Sequence, residues 1–414
     1  MGIANKEVEK FFKQNNVNYI KYIDGDLFET KILKNIDFII KSSGIKFDTN
    51  FLKIAESLKI KVISDLELFY LLFPNKEMIL VTGTNGKTTT SILISSLLND
   101  ANIYKSGVYG NIGIPLFSLN DELVEVVEAS SFMLHNSYKL KPHIYIVTSL
   151  VSHHLDYHQN EENYYYDKLK IINNLNEFDY LIYNKDYEII NEYLNNLKCN
   201  VITYSLSDKT ADVYVKDNNI IFNNQPTINL SNNIRKEDHI LENMLATIIV
   251  GKIYNINNEL IENSLINFKG VEHRFEFIAN NNNNVIINDS KSTSPMALSK
   301  AIDNIKKYEN FFKIIILGGM IVDKNYDEVN EKIKLADEIY IFGKDNYKFV
   351  KYIKHNNIFV FDTLDEIIFY IKNKKRNKLL ILFSPSCPSY DLYKNFEERG
   401  EHFKKLIFYH NFCK

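Results

Sequence analysis

Two hydrophobic rhythms alternate along most of the chain. Short apolar runs, Met78-Ile79-Leu80-Val81, "LVEVVEAS" from Leu123, "HIYIVTSL" from His143 and "YLIYN" from Tyr180, are separated by stretches with helical spacing. The first run leads through a turn into "TTSILISSLLND", which reads as an amphipathic helix. Apolar runs that alternate with helices predict a parallel sheet covered by helices. The pattern changes at "DVYVKDNNIIFNN", which predicts a small hairpin, and returns to a core helix at "ENMLATIIVGKIY". A further block starts near Gly270. There "RFEFIANNNNNVIIND" reads as two strands joined by an asparagine-rich turn. "KIIILGG", "EIYIFGK", "NIFVFD" and "LLILFSP" then alternate with helices in a Rossmann-like pattern. Ahead of all this, "NKEVEKFFKQN" predicts a helix, "YIKYID" and "IDFIIKSSG" predict strands, and "LFYLLFPNKE" a helix closed at Pro74. The expected architecture is α/β in three domains. Residues 1–76 form a Rossmann-like N-terminal domain, 77–270 a central P-loop ATPase-like domain on a parallel sheet, and 271–414 a C-terminal Rossmann-like domain.

Composition narrows the setting. At 414 residues the chain is too long for one ordinary core. Hydrophobic residues at 45% and charged residues at 24% are a globular balance, and a net charge of -3 argues against nucleic-acid or membrane partners. The N-terminal "MGIANKEVEKFFKQ" is polar, without a signal peptide, and Lys6 stands where a myristoylation signal needs Ser or Thr. Cys199, Cys387 and Cys413 are odd in number and scattered, which argues against a disulfide framework or zinc site and for the cytoplasm. No membrane insertion is expected, and a monomer is. Glycine is scarce, yet seven of the 14 fall in three clusters, at 83 and 86, at 107, 110 and 113, and at 318 and 319. Such clusters mark sharp turns or close approach to a ligand.

The first cluster lies in "VTGTNGKTTT", Val81 to Thr90. A strand, a glycine turn and a helix aim backbone N–H groups at an anion. Gly83, Thr84, Asn85, Gly86, Lys87, Thr88 and Thr89 are the nucleotide-binding candidates. Lys87 can reach the β- and γ-phosphates, and the Thr88 hydroxyl can ligate Mg²⁺. The commonest P-loop has a glycine five residues before the second, where Val81 stands here. A tight turn with an exposed lysine is the bland alternative, and Gly-Lys-Thr in this context favours nucleotide binding.

"GTNGKTTT" resembles the loop of the Mur ligases and folylpolyglutamate synthases, which use ATP to join an amino acid to a carboxylate. "VVEASSFML" resembles that family's Glu-x-Ser-Ser-Phe-Gln-Leu, with Met133 for the glutamine. "TSLVSHHLDYH" resembles its metal-histidine stretch, with Ser149 for asparagine and His153 for aspartate. The resemblance implies two Mg²⁺ ions, with Thr88, Glu128, His154 and Lys168 as metal residues. Lys168 matches the lysine that is carbamylated in the family, and Lys87, His154 and Lys168 are the implied catalytic residues. "GNIGIP" matches a substrate loop, so Asn111 is implied to contact the acceptor, and "KSSGI" places Gly44 at the nucleotide-sugar site. Asn243, Arg274 of "VEHRFE" and Asp289 of "NDSKSTSP" are implied to bind ATP, and Lys291 and Thr293 the reacting groups. "GGMIVDKNYD" aligns Lys324, and "FSPSCPSYDLYKNFEERGEHF" resembles the signature of the D-glutamate-adding members. There Thr293, Lys324, Ser389 and Phe396 are implied to hold D-glutamate. Relatives open with a strand and Gly-x-Gly-x-Ser-Gly loop. Ahead of "NKEVEKFF" only Gly2 remains of these, so a reduced UDP-sugar domain is expected, with Asp24 after its second strand.

The implied activity is ATP-dependent, ADP-forming ligation of D-glutamate to UDP-N-acetylmuramoyl-L-alanine through an acyl phosphate, in peptidoglycan precursor synthesis. Two alternatives stand beside it: another Mur-type or folylpolyglutamate-type ligase, and a non-catalytic nucleotide-binding relative. The departures at Met133, Ser149 and His153 favour the second of these; Lys87, Glu128, His154, Lys168 and Arg274 argue against it.

Overall fold

The computed structural model describes residues 3–23, 30–46, 48–102, 104–112, 114–118, 123–230, 234, 238–268, 270–374 and 376–412. Gly2, Asp24, Gly113 and Cys413 lie outside them. The chain forms two compact units, Met1–Phe268 and Lys269–Lys414.

The first unit is built on a nine-stranded sheet. Its parallel part runs in the order Ser106–Gly110, Val124–Glu128, Glu77–Thr82, Ile144–Val147, Tyr180–Asn184, Asn200–Ser205 and Val213–Lys216. Strands Asn219–Phe222 and Gln225–Asn229 extend it antiparallel, and the predicted hairpin over residues 212–224 is the pair Val213–Lys216 with Asn219–Phe222. Register places Val81 beside both Glu128 and Ile146, so three strand ends open at one edge. The central strands are mostly apolar and buried on both faces along almost their whole length, as parallel strands covered by helices must be.

Helix Lys87–Asp100 departs from the amphipathic expectation. Thr88 to Ser91, Leu93 to Ser95, Leu97 and Leu98 are all buried. It lies between the sheet and helices Asp238–Ile253 and Asn258–Asn267. Its small Ser and Thr side chains allow that close packing where larger polar groups would not.

The N-terminal residues form helix Ile3–Gln14 and a two-stranded parallel sheet, Phe38–Ile40 with Lys61–Ile63. Helix Asp65–Leu72, capped by Ser64, sends Leu66 and Phe69 into one core with Leu80 and Val127. The fully buried Glu67 carboxylate accepts the backbone N–H groups of Tyr138, Lys139 and Leu140. The expected "YIKYID" strand does not form over residues 19–23. Tyr19, Ile20 and Ile23 are exposed, and Tyr19 and Lys21 instead bond Glu9 of the first helix. Alternation alone makes no strand without a neighbouring ladder.

The second unit carries a six-stranded sheet in the order Glu276–Asn280, Asn284–Asn288, Leu379–Ser386, Phe312–Gly318, Glu338–Phe342 and Ile358–Val360, parallel except for the first pair. Asn281 closes the asparagine turn by accepting from Asn283 and Asn284 backbone N–H groups. Among the described residues, no helix is long and apolar enough to cross a membrane.

Candidate active site

The glycine turn is shaped by contacts that no other residue permits. A Cβ on Gly83 would lie 2.1 Å from Thr148 Oγ1, and one on Gly86, at φ +85°, 2.5 Å from Asn243 Oδ1. Gly86 caps helix Lys87–Asp100, so the first-turn N–H groups face the turn. Val81, at the position of the usual first glycine, is a fully buried strand residue. Ser149 replaces the family asparagine and holds the loop: its hydroxyl meets both Asn85 N–H (2.8 Å) and Asn85 C=O (3.1 Å). Asn243 accepts from Thr90 Oγ1 at 3.0 Å, behind the turn.

Glu128, at the end of its strand, joins two other predicted residues. Thr88 Oγ1 donates to one carboxylate oxygen at 2.7 Å, and Asn111 Nδ2 to the other at 2.7 Å. Asn111, expected to touch the acceptor, bonds Glu128 here. Lys168 comes from helix Glu161–Leu169 and is only 1% exposed. Its Nζ donates to Gly83 C=O at 2.8 Å and reaches Thr82 Oγ1 at 3.3 Å. Lys87 Nζ donates to the same Gly83 oxygen at 2.9 Å and to Thr84 C=O at 3.0 Å. Burial, and then the neighbouring Lys87 charge, push the Lys168 amine well below its usual pKa, against the weaker pull of Glu128 and Asp167. His154 follows strand Ile144–Val147 in the left-handed region, φ +56°, with its ring 4.8 Å from Phe132 in the short helix after Glu128. The donor set here, a carboxylate, a hydroxyl and an imidazole, fits a hard divalent cation. Gly44 stands apart, in an exposed turn where a Cβ would meet nothing within 4 Å.

In the second unit the predicted residues gather at the C-terminal ends of three adjacent parallel strands. Asp289 follows Asn284–Asn288 and accepts from Phe275 N–H and Ser384 Oγ. Burial raises its pKa to about 7, against the pull of those donors and of Arg274 and Arg399. Lys291 Nζ lies 5.2 Å above the Phe396 ring, and Thr293 is exposed beside it in sequence. Ser389 is buried, and Lys324 is exposed on the segment after Phe312–Gly318. Sequence reasoning missed Arg399, which is fully buried and donates to Ser290 Oγ, Ser290 C=O and Cys387 C=O. It missed Thr82 and Tyr164 beside Lys168 as well.

The Mur ligase middle domain matches residues 81–262, and the Mur ligase glutamate ligase domain residues 273–387. The UDP-N-acetylmuramoylalanine–D-glutamate ligase of Oenococcus oeni is 32% identical over 400 residues, 95% of this chain and 88% of that protein. The enzyme of the same name from Lactococcus lactis subsp. lactis is 33% identical over 411 residues, 96% of this chain and 88% of its own. Among solved structures, the Thermotoga maritima MurF ligase in complex with ADP has a TM-score of 0.61 at 19% identity, covering 91% of this chain and 97% of that one. The MurC UDP-N-acetylmuramate–alanine ligase of the same organism has a TM-score of 0.60 at 16% identity, covering 96% and 90%. The chain belongs to the Mur ligases, in the family of UDP-N-acetylmuramoylalanine–D-glutamate ligases.

Proposed function

We propose that the protein joins D-glutamate to UDP-N-acetylmuramoyl-L-alanine at the expense of ATP, in peptidoglycan precursor synthesis. The acceptor carboxylate takes the γ-phosphoryl group as the bond to ADP breaks, and the D-glutamate amine then attacks the acyl carbon, giving up a proton. The C–O bond to phosphate breaks, and phosphate leaves. The observation that carries this reading is the convergence of Thr88, Glu128, Lys168 and Lys87 on one turn. That convergence concentrates phosphate-binding and metal-binding groups at a helix N-terminus.

Residues 83–89 cradle the ATP phosphates, and Lys87 exchanges its two loop carbonyls for phosphate oxygens. Thr88, Glu128, His154 and Lys168, as its carbamate, would hold two Mg²⁺ ions, which would supply neutralisation of phosphoryl charge. Carbon dioxide combines only with a neutral amine. The depressed basicity of Lys168 favours that form, and a carbamate, formed with release of one proton, would turn a repelling group into an anionic one. Asn243, Arg274 and Asp289 serve ATP, while Gly44, Asn111 and Lys291 serve the acceptor and reacting groups. Thr293, Lys324, Ser389 and Phe396 serve D-glutamate. Residues 1–76, 77–270 and 271–414 act as the UDP-sugar, ATP and amino-acid domains of a cytoplasmic monomer that is not inserted in a membrane. The test is phosphate release with each of the three substrates omitted in turn. Release must require all three, and release without an amino acid would refute ligation.

A further inference from the structure

A buried polar chain lies beside the proposed metal residues and has no part in the reading above. Ser131 Oγ meets His158 Nε2 at 2.9 Å, and His158 Nδ1 meets Asp167 Oδ2 at 2.9 Å. His135 Nδ1 meets the same Oδ2 at 2.7 Å, and Lys170 Nζ lies 3.5 Å from the other oxygen. A carboxylate can only accept, so both imidazole nitrogens facing it carry their protons. Ser131, His158 and Asp167 are each at most 4% exposed. Ser, His and Asp in this order resemble a nucleophile relay, but a buried serine cannot reach a substrate, so hydrolysis does not follow.

What distinguishes the chain is where its members sit. Ser131 is three residues after Glu128 and opens helix Ser131–His135, which His135 ends. His158 is four residues after His154 and ends helix Leu155–His158. Asp167 immediately precedes Lys168 in helix Glu161–Leu169. One carboxylate therefore fastens together the three segments that carry Glu128, His154 and Lys168. Phe132 adds a second tie, its ring stacked on His158 at 5.6 Å and packed on His154 at 4.8 Å.

We propose that Ser131, His158, Asp167 and His135 are positioning residues that set the spacing of Glu128, His154 and Lys168, and with it the stability of the Lys168 carbamate and its metal. The inference rests on the proposed carbamate-bearing ligase site. Loss of an outer hydrogen-bond partner of a metal site typically costs about 10- to 100-fold in metal affinity or activity.

The experiment compares wild type, Asp167→Asn, His135→Ala and His135→Gln. An asparagine at 167 turns an NH₂ towards Lys170 or towards an imidazole N–H. His135 is the partly exposed arm of the chain, so its truncation spares the buried members. Lys168 carbamate is read from the ¹³C resonance after equilibration with labelled bicarbonate, and kcat and the KM for ATP are measured alongside. In Asp167→Asn the bicarbonate needed for half occupancy should rise, and kcat should fall, each by about 10-fold or more, with the KM for ATP within about threefold of wild type. His135→Ala should move both in the same direction by less, and His135→Gln, which keeps an N–H donor, should recover most of that loss. Wild-type occupancy and kcat in both Asp167→Asn and His135→Ala would overturn the positioning role. So would a stoichiometric transition metal bound by wild type and lost in His135→Ala, since the cluster would then be a metal site itself. A wild-type protein without any carbamate signal would instead refute the reading on which the inference rests.

Discussion

Lys168→Met should separate catalysis from folding. Methionine keeps the buried apolar stem and removes the amine. Two hydrogen bonds are lost, worth about 1 kcal/mol each. Neither partner is orphaned: Gly83 C=O still accepts from Lys87, and Thr82 Oγ1 still donates to Ala129 C=O. The variant also escapes the cost of burying an amine beside Lys87, so net stability near neutral pH should change by no more than about 2 kcal/mol. Activity should fall about 10²- to 10³-fold or more, the scale for losing one charge-stabilising group from a preorganised site. The folded-state pKa of Lys168 lies below its unfolded value, so the unfolded chain binds the extra proton between the two. In bicarbonate-free buffer, wild type should therefore gain stability relative to Lys168→Met as pH rises through that window, by about 1.4 kcal/mol per unit. Phosphate release reports the first effect, and paired thermal melts across pH the second. Turnover within about tenfold of wild type, or a melting difference that ignores pH, would refute the reasoning. Lys168→Ala, which leaves space, should be partly rescued by acetate.

Lys87→Ala should lower turnover by about 10²-fold or more with an intact fold, since it removes the cation proposed to face phosphoryl charge; near-normal phosphate release would contradict this. Gly86→Ala forces a Cβ into φ +85° and against Asn243 Oδ1 at 2.5 Å. The conformational strain is about 1–2 kcal/mol, and displacing Asn243 breaks its bond from Thr90, so a lower melting temperature and weaker ATP binding by calorimetry are expected. Asp289 has a folded-state pKa of about 7, well above its usual value, so the folded chain holds the proton that the unfolded chain releases. The melting temperature of wild type minus that of Asp289→Asn should fall as pH rises from about 4 to about 7; a difference that rises would reverse the assignment of burial as the cause.

Much of this was legible in the sequence because the physics is local. The runs 78–81, 123–130, 143–150 and 379–385 are mostly apolar and short, which suits strands of a covered parallel sheet. The glycine turn was legible because a strand and a helix flank it. Long-range pairing was not legible. The apolar alternation of residues 19–23 carries no information on whether a sheet edge is within reach. The spacing in helix Lys87–Asp100 showed one apolar face, but two further helices cover the small polar residues on its other side. Ser149 looked like damage to a motif, yet it holds Asn85 from both sides. Asn111 pairs with Glu128 across 17 residues, and His135 with Asp167 across 32, contacts that no periodicity records.

The most direct test of the central claim is amine-dependent phosphate release with ATP, Mg²⁺ and UDP-N-acetylmuramoyl-L-alanine across D-glutamate, L-glutamate, L-lysine and diaminopimelate. The account predicts turnover with D-glutamate and little with the others, because Thr293, Lys324, Ser389 and Phe396 are read as a D-glutamate pocket. Equal or faster release with L-lysine or diaminopimelate would contradict it.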